Sequence, residues 1–268
     1  MQRPEWVPAG TDVETPNAAR VYDYYLGGSH NFAADREMAR EALALWPDLP
    51  EIMRANRAFL RRSVQYVATQ GVSRFIDIGS GIPTYGAVHE VARPVRPDTR
   101  VVYVDDDPIA VAHSRLMLKD DPRCAMVAAD MTDPVDLLSR PEIEELLRPG
   151  EPVAVLLVAV LHFVPDTAAP AKIVATLRDA MPPGSYLVLS HASQDSRPEK
   201  AGPLEALYAR TATPLTMRTR EQVATFFEGY ELVEPGIVWL TEWHPDDPES
   251  VGPHPERLSG LTGVGIRP

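Results

Sequence analysis

A single cysteine, Cys124, rules out any disulfide within the 268-residue chain and leads us to expect a reducing, cytoplasmic setting. Lysine is confined to Lys119, Lys172 and Lys200, and Asp plus Glu outnumber Lys plus Arg by 38 to 26. The resulting formal net charge of -12 argues against nucleic acid or an anionic membrane as partner, because both need clustered cations. The one basic run, "RANRAFLRR", spaces Arg54, Arg57, Arg61 and Arg62 as a helix does and reads as a solvated face. Long apolar runs are missing too. The longest, Val153 to Val164, falls short of the ~20 residues a bilayer needs and reads as a buried strand. No basic stretch followed by an apolar one opens the chain, so no signal peptide is expected. CxxC, HExxH, GxSxG and GxxxxGK are absent, and no metal site is read.

What is present falls into three parts. Residues 1–16 are proline-rich and aperiodic, and are expected to form a flexible arm. Residues 17–71 give a short aromatic helix, a break at Gly27 and Gly28, a second helix placed for capping by Asn31, and a third from about Ile52 to Thr69. These helices are expected to form a lid or cap. From residue 72 to 268 strands and helices alternate: "RFIDIG", "RVVYVD", "CAMVAAD", "PVAVLLVAVLHFV" and "GSYLVLSHA" read as strands with helical segments between them. That rhythm predicts an α/β, Rossmann-like, mostly parallel sheet. Two short closing strands, "YELVEP" and "IVWLTEW", predict an antiparallel edge. The N-terminal helices would lie over the C-terminal edge of the sheet, where open α/β sheets bind ligands.

The chemistry concentrates at strand ends. "FIDIGSGIPT" has Asp77, Gly79, Ser80 and Gly81 where a dinucleotide fold has its glycine fingerprint, but Pro83 stands in place of a third glycine. Asp77 would repel phosphate and suits a ligand with a cationic amino-acid end and no phosphate. S-adenosylmethionine is such a ligand, and glycines let the backbone approach it closely. Asp105 ends the second strand, where an acid accepts ribose hydroxyls, with Asp106 and Asp107 behind it. Asp130, closing the third strand beside Met131, is positioned for an adenine amino group. Ala159 and Val160, ending the fourth strand, would line the cofactor. His162 would face the acceptor as a general base or else be structural, and His191 and Tyr22 stand behind it as candidates. Tyr22, Tyr25 and Phe32 admit two readings: aromatic groups of a lid hinged at Gly27 and Gly28, or plain core at helical spacing.

Taken in order, "PNAARVYDYYLGGSHNFAADRE", "SVQYVATQGVSRFIDIGSGIPT", "RVVYVDDDPIAVAHSR", "LLVAVLHFVPD", "PPGSYLVLSHAS" and "FFEGYELVEPGIV" resemble the actinobacterial S-adenosyl methyltransferase family, formerly a domain of unknown function. The resemblance runs from about residue 15 to the end. It implies the fold of class I S-adenosylmethionine-dependent methyltransferases and a cofactor site at the first three strand ends. Asp106 departs from it, standing where asparagine is common. Methyl transfer from a sulfonium needs position and desolvation more than fixed catalytic groups. The expected activity is therefore O- or N-methylation of a small molecule. A protein that binds S-adenosylmethionine or S-adenosylhomocysteine to regulate a partner is the other reading. Oligomeric state is not legible in the sequence.

Overall fold

The computed structural model describes residues 7–8, 10–82, 86–148 and 150–268. Three helices come first: α1 (Ala18–Tyr25), α2 (Ala33–Leu45) and α3 (Leu49–Thr69). Then follow β1 (Arg74–Ile78), α4 (Val88–Ala92), β2 (Arg100–Asp105), α5 (Pro108–Leu118), β3 (Cys124–Ala128), α6 (Pro134–Leu138), α7 (Pro141–Leu147) and β4 (Ala154–Val158). The chain closes with α8 (Pro170–Ala180), β5 (Tyr186–Ala192), α9 (Pro198–Tyr208), α10 (Arg220–Ala224), β6 (Glu231–Leu232), β7 (Val238–Trp239) and β8 (Gly260–Ile266).

The sheet order is β3-β2-β1-β4-β5-β8-β6, with β7 also paired to β8. Strands β1 to β5 are parallel, and β8 runs against its neighbours β5, β6 and β7. Strand order reverses between β1 and β4, which opens a crevice at their C-terminal ends. The antiparallel element is thus chiefly β8, in register with β5 from Tyr186↔Ile266 to Ala192↔Gly260. The expected edge pair, β6 and β7, is reduced to two short strands on its far side.

Period-2 alternation divides the apolar side chains between two layers. Ile76, Ile78, Val102, Val104, Val155 and Leu157 face Leu137, Ile143 and Ile173 of α6, α7 and α8. Phe75, Val101, Tyr103, Ala154 and Leu156 face Phe59, Val64, Val88 and Val111 of α3, α4 and α5. Asp77 lies on this second face, a carboxylate where the pattern calls for an apolar residue. A third cluster joins Tyr25, Met38, Trp46 and Leu49 of the N-terminal segment to Leu204 and Tyr208 of α9. No helix among the described residues is long and apolar enough to cross a membrane.

Several local expectations give way to tertiary contacts. Part of the proposed arm is seated: Val7 is buried with Ile82, Ile109 and Ala110, and buried Arg20 donates to the carbonyls of Asp12 and Thr15. Helix α1 is capped by Asn17, whose side chain accepts from the Ala19 amide. Asn31 does not cap α2. Its amide donates to Asp23 Oδ2, while Asp35 accepts from the amides of Phe32 and Asn17. The basic run is no uniform solvated face either. Arg62 is buried and donates to the carbonyls of Trp243 and Leu240, pinning the C-terminal loop onto α3. Pro83, the residue that interrupts the glycine fingerprint, lies outside the described residues.

Candidate active site

The turn after β1 is built by close approach. Gly79 sits at φ +68, and a Cβ there would fall 2.1 Å from Val160 Cγ2. No other residue lets the β1 and β4 loops meet this closely. Gly81, at φ +66, would carry its Cβ into open space. The amides of Gly79 and Ser80 donate to the Val104 carbonyl at 2.8 and 3.0 Å, which ties the turn to β2. The Gly81 amide donates to Asp105 Oδ2 at 2.7 Å, and the Asp107 amide to Asp105 Oδ1 at 2.9 Å. Each of those carboxylate oxygens keeps a lone pair for a ligand donor.

Burial pushes the Asp77 carboxyl up to about 7, with Arg57 opposing the rise and Asp105 adding to it. Burial likewise lifts Asp105 to about 7, opposed by its bonds from the Asp107 and Gly81 amides. Two buried carboxylates at one turn call for a ligand with hydrogen-bond donors or positive charge.

The other strand ends complete the cleft. β3 stops at Ala128, two residues earlier than expected for Asp130, and the Ala129 amide still reaches the Asp105 carbonyl at 3.2 Å. Asp130 is exposed, and its Oδ1 accepts from the Thr132 amide at 2.8 Å. Ala159 takes the left-handed φ of 58, and its amide donates to the Ser190 carbonyl and to Ser190 Oγ at 2.9 Å. Asp77, Gly79, Ser80, Gly81, Asp105, Asp106, Asp130, Met131, Ala159 and Val160 all line one cleft of about 1210 Å³, open solvent at its mouth included. Every residue read as cofactor-binding is therefore brought to the same crevice.

Sequence reasoning missed the far wall. Asp23, Asn56 and Arg57 also line this cleft, from α1 and α3. Asp23 is buried; its Oδ2 accepts from the His30 amide and Asn31 Nδ2, while Oδ1 has no hydrogen-bond partner. Gly28, read as part of a hinge, is needed for space: a Cβ there would lie 2.0 Å from Asp23 Oδ1. No local signal marks these residues, since their roles depend on helices folding back over the sheet.

A second chamber of about 700 Å³, open solvent again included, adjoins the first and shares Ala18, Tyr22, Asn56, Ala159 and Phe163 with it. His162 and His191 line this chamber. The Ala192 amide donates to His162 Nδ1 at 3.2 Å, so the ring proton sits on Nε2. Burial, with Arg218 adding to it, brings His162 down to about 3. Arg218 Nη1 donates to His191 Nε2 at 2.8 Å, and His191 Nδ1 donates to the Ala192 carbonyl at 2.7 Å. Burial, then His162 and Arg218, hold His191 well below its ordinary range, against the Ala192 carbonyl bond. Tyr22 is fully engaged as well, accepting from Asn56 Nδ2 and donating to the Met53 carbonyl. These bonds set what each of the three candidate bases offers to the chamber. Both His191 nitrogens are occupied, the Tyr22 proton is committed to the Met53 carbonyl with burial raising that hydroxyl, and the free nitrogen of His162 is a donor. Tyr25 is plain core, hydroxyl to hydroxyl with Tyr208 at 3.3 Å, whereas Phe32 stacks under Arg20.

Comparison with known proteins points the same way. The model of the family described as S-adenosyl methyltransferase matches residues 4–268. A provisionally named methyltransferase from Thermobifida fusca YX is similar at 38% identity and TM-score 0.92, over 98% of this chain and 99% of that one. A DUF574 family protein from Streptomyces avermitilis MA-4680 is similar at 41% identity and TM-score 0.91, over 96% of this chain and 99% of that one. The N-methyltransferase NodS from Bradyrhizobium japonicum WM9, solved with S-adenosyl-L-homocysteine, shares the fold at 14% identity and TM-score 0.50, over 93% and 99% of the two chains. No curated protein matches the chain. With the family model spanning nearly its whole length, the chain belongs to the S-adenosyl methyltransferase family and is a class I, S-adenosylmethionine-dependent methyltransferase.

Proposed function

We propose that the chain methylates a small molecule at oxygen or nitrogen, and that the cleft at the β1 and β4 ends holds the cofactor. The carrying observation is the pair of buried carboxylates, Asp77 and Asp105, set around a glycine turn with unfilled space at Gly81. The donor set fits: a carboxylate pair suits an ammonium and ribose hydroxyls and repels a pyrophosphate. When bound, S-adenosylmethionine supplies a methyl group on a cationic sulfur whose departure leaves a neutral thioether.

In this reading Asp77 holds the ammonium end, and the Asp23 carboxylate, with His30 Nδ1 at 3.9 Å from its Oδ1, stands behind that wall. Asp105 accepts the ribose hydroxyls with its remaining lone pairs. Asp106, Asp130 and Met131 border the adenine, Asp130 accepting from its amino group. Ala159 and Val160 form the floor beside the sulfur. A hydrogen-bonded chain from the Ala159 amide through Ser190 Oγ, Asn56 and Tyr22 to the Met53 carbonyl fixes that floor to α1 and α3. Helices α1 to α3, over this cleft, act as the cap that excludes water. The adjoining chamber supports turnover rather than sensing alone, since a sensor needs no second compartment beside the reacting methyl.

Calorimetry with S-adenosylhomocysteine and with NAD tests the assignment. Binding of the first and not the second is expected, and Asp105→Ala should weaken it at least tenfold. NAD binding without S-adenosylhomocysteine binding would refute it.

A further inference from the structure

We propose that the second chamber is the methyl-acceptor site and that it takes an apolar aromatic compound through an acidic ring hydroxyl, held as its anion by His162 Nε2–H. The inference rests on the cofactor assignment above.

Position comes first. Ala18, Tyr22, Asn56, Ala159 and Phe163 border both the cleft and the chamber, so the wall between a molecule in the chamber and the sulfur end of the cofactor is one side chain thick. The walls then set the chemistry. Tyr25, Trp46, Leu49, Phe163, Leu204 and Tyr208 give the walls an aromatic and aliphatic character, and the described lining has no Asp, Glu, Lys or Arg. Aromatic walls favour an aromatic guest through offset and edge contacts. A fixed charge elsewhere on the guest would be stripped of water with nothing to pair it.

The polar atoms that the walls leave unpaired are donors. The Tyr25 and Tyr208 hydroxyls bond to each other through one of their two protons, Ser190 Oγ donates to Asn56 Oδ1, and both His191 nitrogens are occupied. Trp46 Nε1–H is an unpaired donor in the wall among the described residues, so none of these groups is a base. His162 Nε2 has no protein partner among the described residues and must carry a proton, because Nδ1 accepts from the Ala192 amide. It is a donor aimed at an acceptor's oxygen, not a base.

The sign of the local field decides between oxygen and nitrogen. Arg218 is buried behind His191, bonded to the carbonyls of Leu161 and Val164 as well as to the ring. Its counter-ion Asp166 faces solvent, with a side chain 69% exposed. Positive charge therefore backs the His191 wall, the Glu205 carboxylate is taken up by the Met217 amide, and no carboxylate is among the described lining residues. A neutral amine would become a cation on methylation, in a place that repels one. A phenolate would become a neutral ether. Because no wall group can take its proton, the hydroxyl must ionise in water, which selects acidic ring hydroxyls.

The step balances without a protein base. The hydroxyl proton passes to solvent before or during binding. A lone pair on the ring oxygen forms the O–C bond to the methyl carbon. The C–S bond breaks with its electrons kept on sulfur, so anion and sulfonium become ether and thioether.

The test uses the full chain with 4-nitrophenol as the acidic hydroxyl and 4-nitroaniline and cyclohexanol as matched probes, with S-adenosylhomocysteine affinity measured in parallel. Methylation of 4-nitrophenol at least tenfold faster than of either comparator is expected. Leu204→Trp and Leu215→Trp should each abolish that methylation by filling the chamber while leaving S-adenosylhomocysteine affinity within twofold, which also reports folding. His162→Phe should raise KM for the phenol at least tenfold without changing the affinity for the cofactor product. Faster turnover of the amine or the aliphatic alcohol overturns the proposal. So do unchanged phenol kinetics in both chamber-filling variants, or intact cofactor-product binding with no phenol turnover. Failure of the wild-type chain to bind S-adenosylhomocysteine overturns the cofactor assignment, and this inference with it.

Discussion

Titration of the empty protein and of its complex through neutral pH perturbs the two acids that define the cleft. Asp77 and Asp105 are each raised to about 7, burial being the first cause. An unfolded aspartate titrates near about 3.9, so each carboxyl is displaced by about 3 pH units, or about 4 kcal/mol at about 1.36 kcal/mol per unit. A raised carboxyl stabilises the fold relative to the unfolded chain when protonated. That contribution is complete below about pH 4 and is lost as pH rises through about 7. Ligand donors at Asp77 and Asp105 favour the ionised form and pull both values down. Binding should therefore expel protons below about pH 7, and affinity should rise about tenfold per pH unit for each proton expelled between about pH 5 and 7, then level off. The two acids interact, so they titrate as a pair. Calorimetry of S-adenosylhomocysteine binding at about pH 6, in buffers of differing ionisation enthalpy, reads the proton count directly. Between one and two protons are expected, falling by about one in Asp77→Asn. A heat independent of buffer, with affinity flat from about pH 5 to 8, would refute the reasoning that these acids are held protonated for a cationic, hydroxyl-bearing ligand.

Three further outcomes follow from the same geometry. Gly79→Ala places a Cβ 2.1 Å from Val160 Cγ2 and should cost about 2–4 kcal/mol of stability, whereas Gly81→Ala meets no atom within 4 Å and should cost about 1–2 kcal/mol from its φ alone. Both should lose cofactor-product affinity, and chemical denaturation beside calorimetry separates the two causes. Ala159→Gly relieves a left-handed φ of 58 at a cost in unfolded-chain entropy of about 0.4–1 kcal/mol. A denaturation midpoint close to wild type is expected, while Ala159→Val should be clearly destabilised. Arg218→Met leaves the Leu161 and Val164 carbonyls and His191 Nε2 without their shared donor, for a loss of about 3–5 kcal/mol. A fall in Tm of roughly 10 °C by calorimetric scan checks it.

Elements with a local signal were legible. The strands β1 to β5 announce themselves by short apolar runs, β1 leading into Gly79 and β2 ending on Asp105, and helix α3 by its stop at Gly71, at φ +98. β8 did not. Its Gly260, Gly263 and Gly265 break the strand pattern because Leu240, Phe227 and Tyr230 pack where Cβ atoms would be. α9 was also invisible, since Pro198 opens it and Pro203 interrupts its periodicity. Its apolar face is defined only by Tyr25, Trp46 and Leu49 on distant helices.

By itself the sequence determined the family and marked the residues of the cleft proposed for the cofactor, because an acid before two glycines, and acids after the next two apolar runs, are each signals carried within one strand and its turn. The chemistry of the second chamber was decided by tertiary structure. Whether His162 is base or donor depends on the Ala192 amide, and whether His191 is free depends on Arg218, 27 residues away. Protonation and tautomer are properties of partners, and partners far apart in the chain meet only when the sheet and its cap have closed.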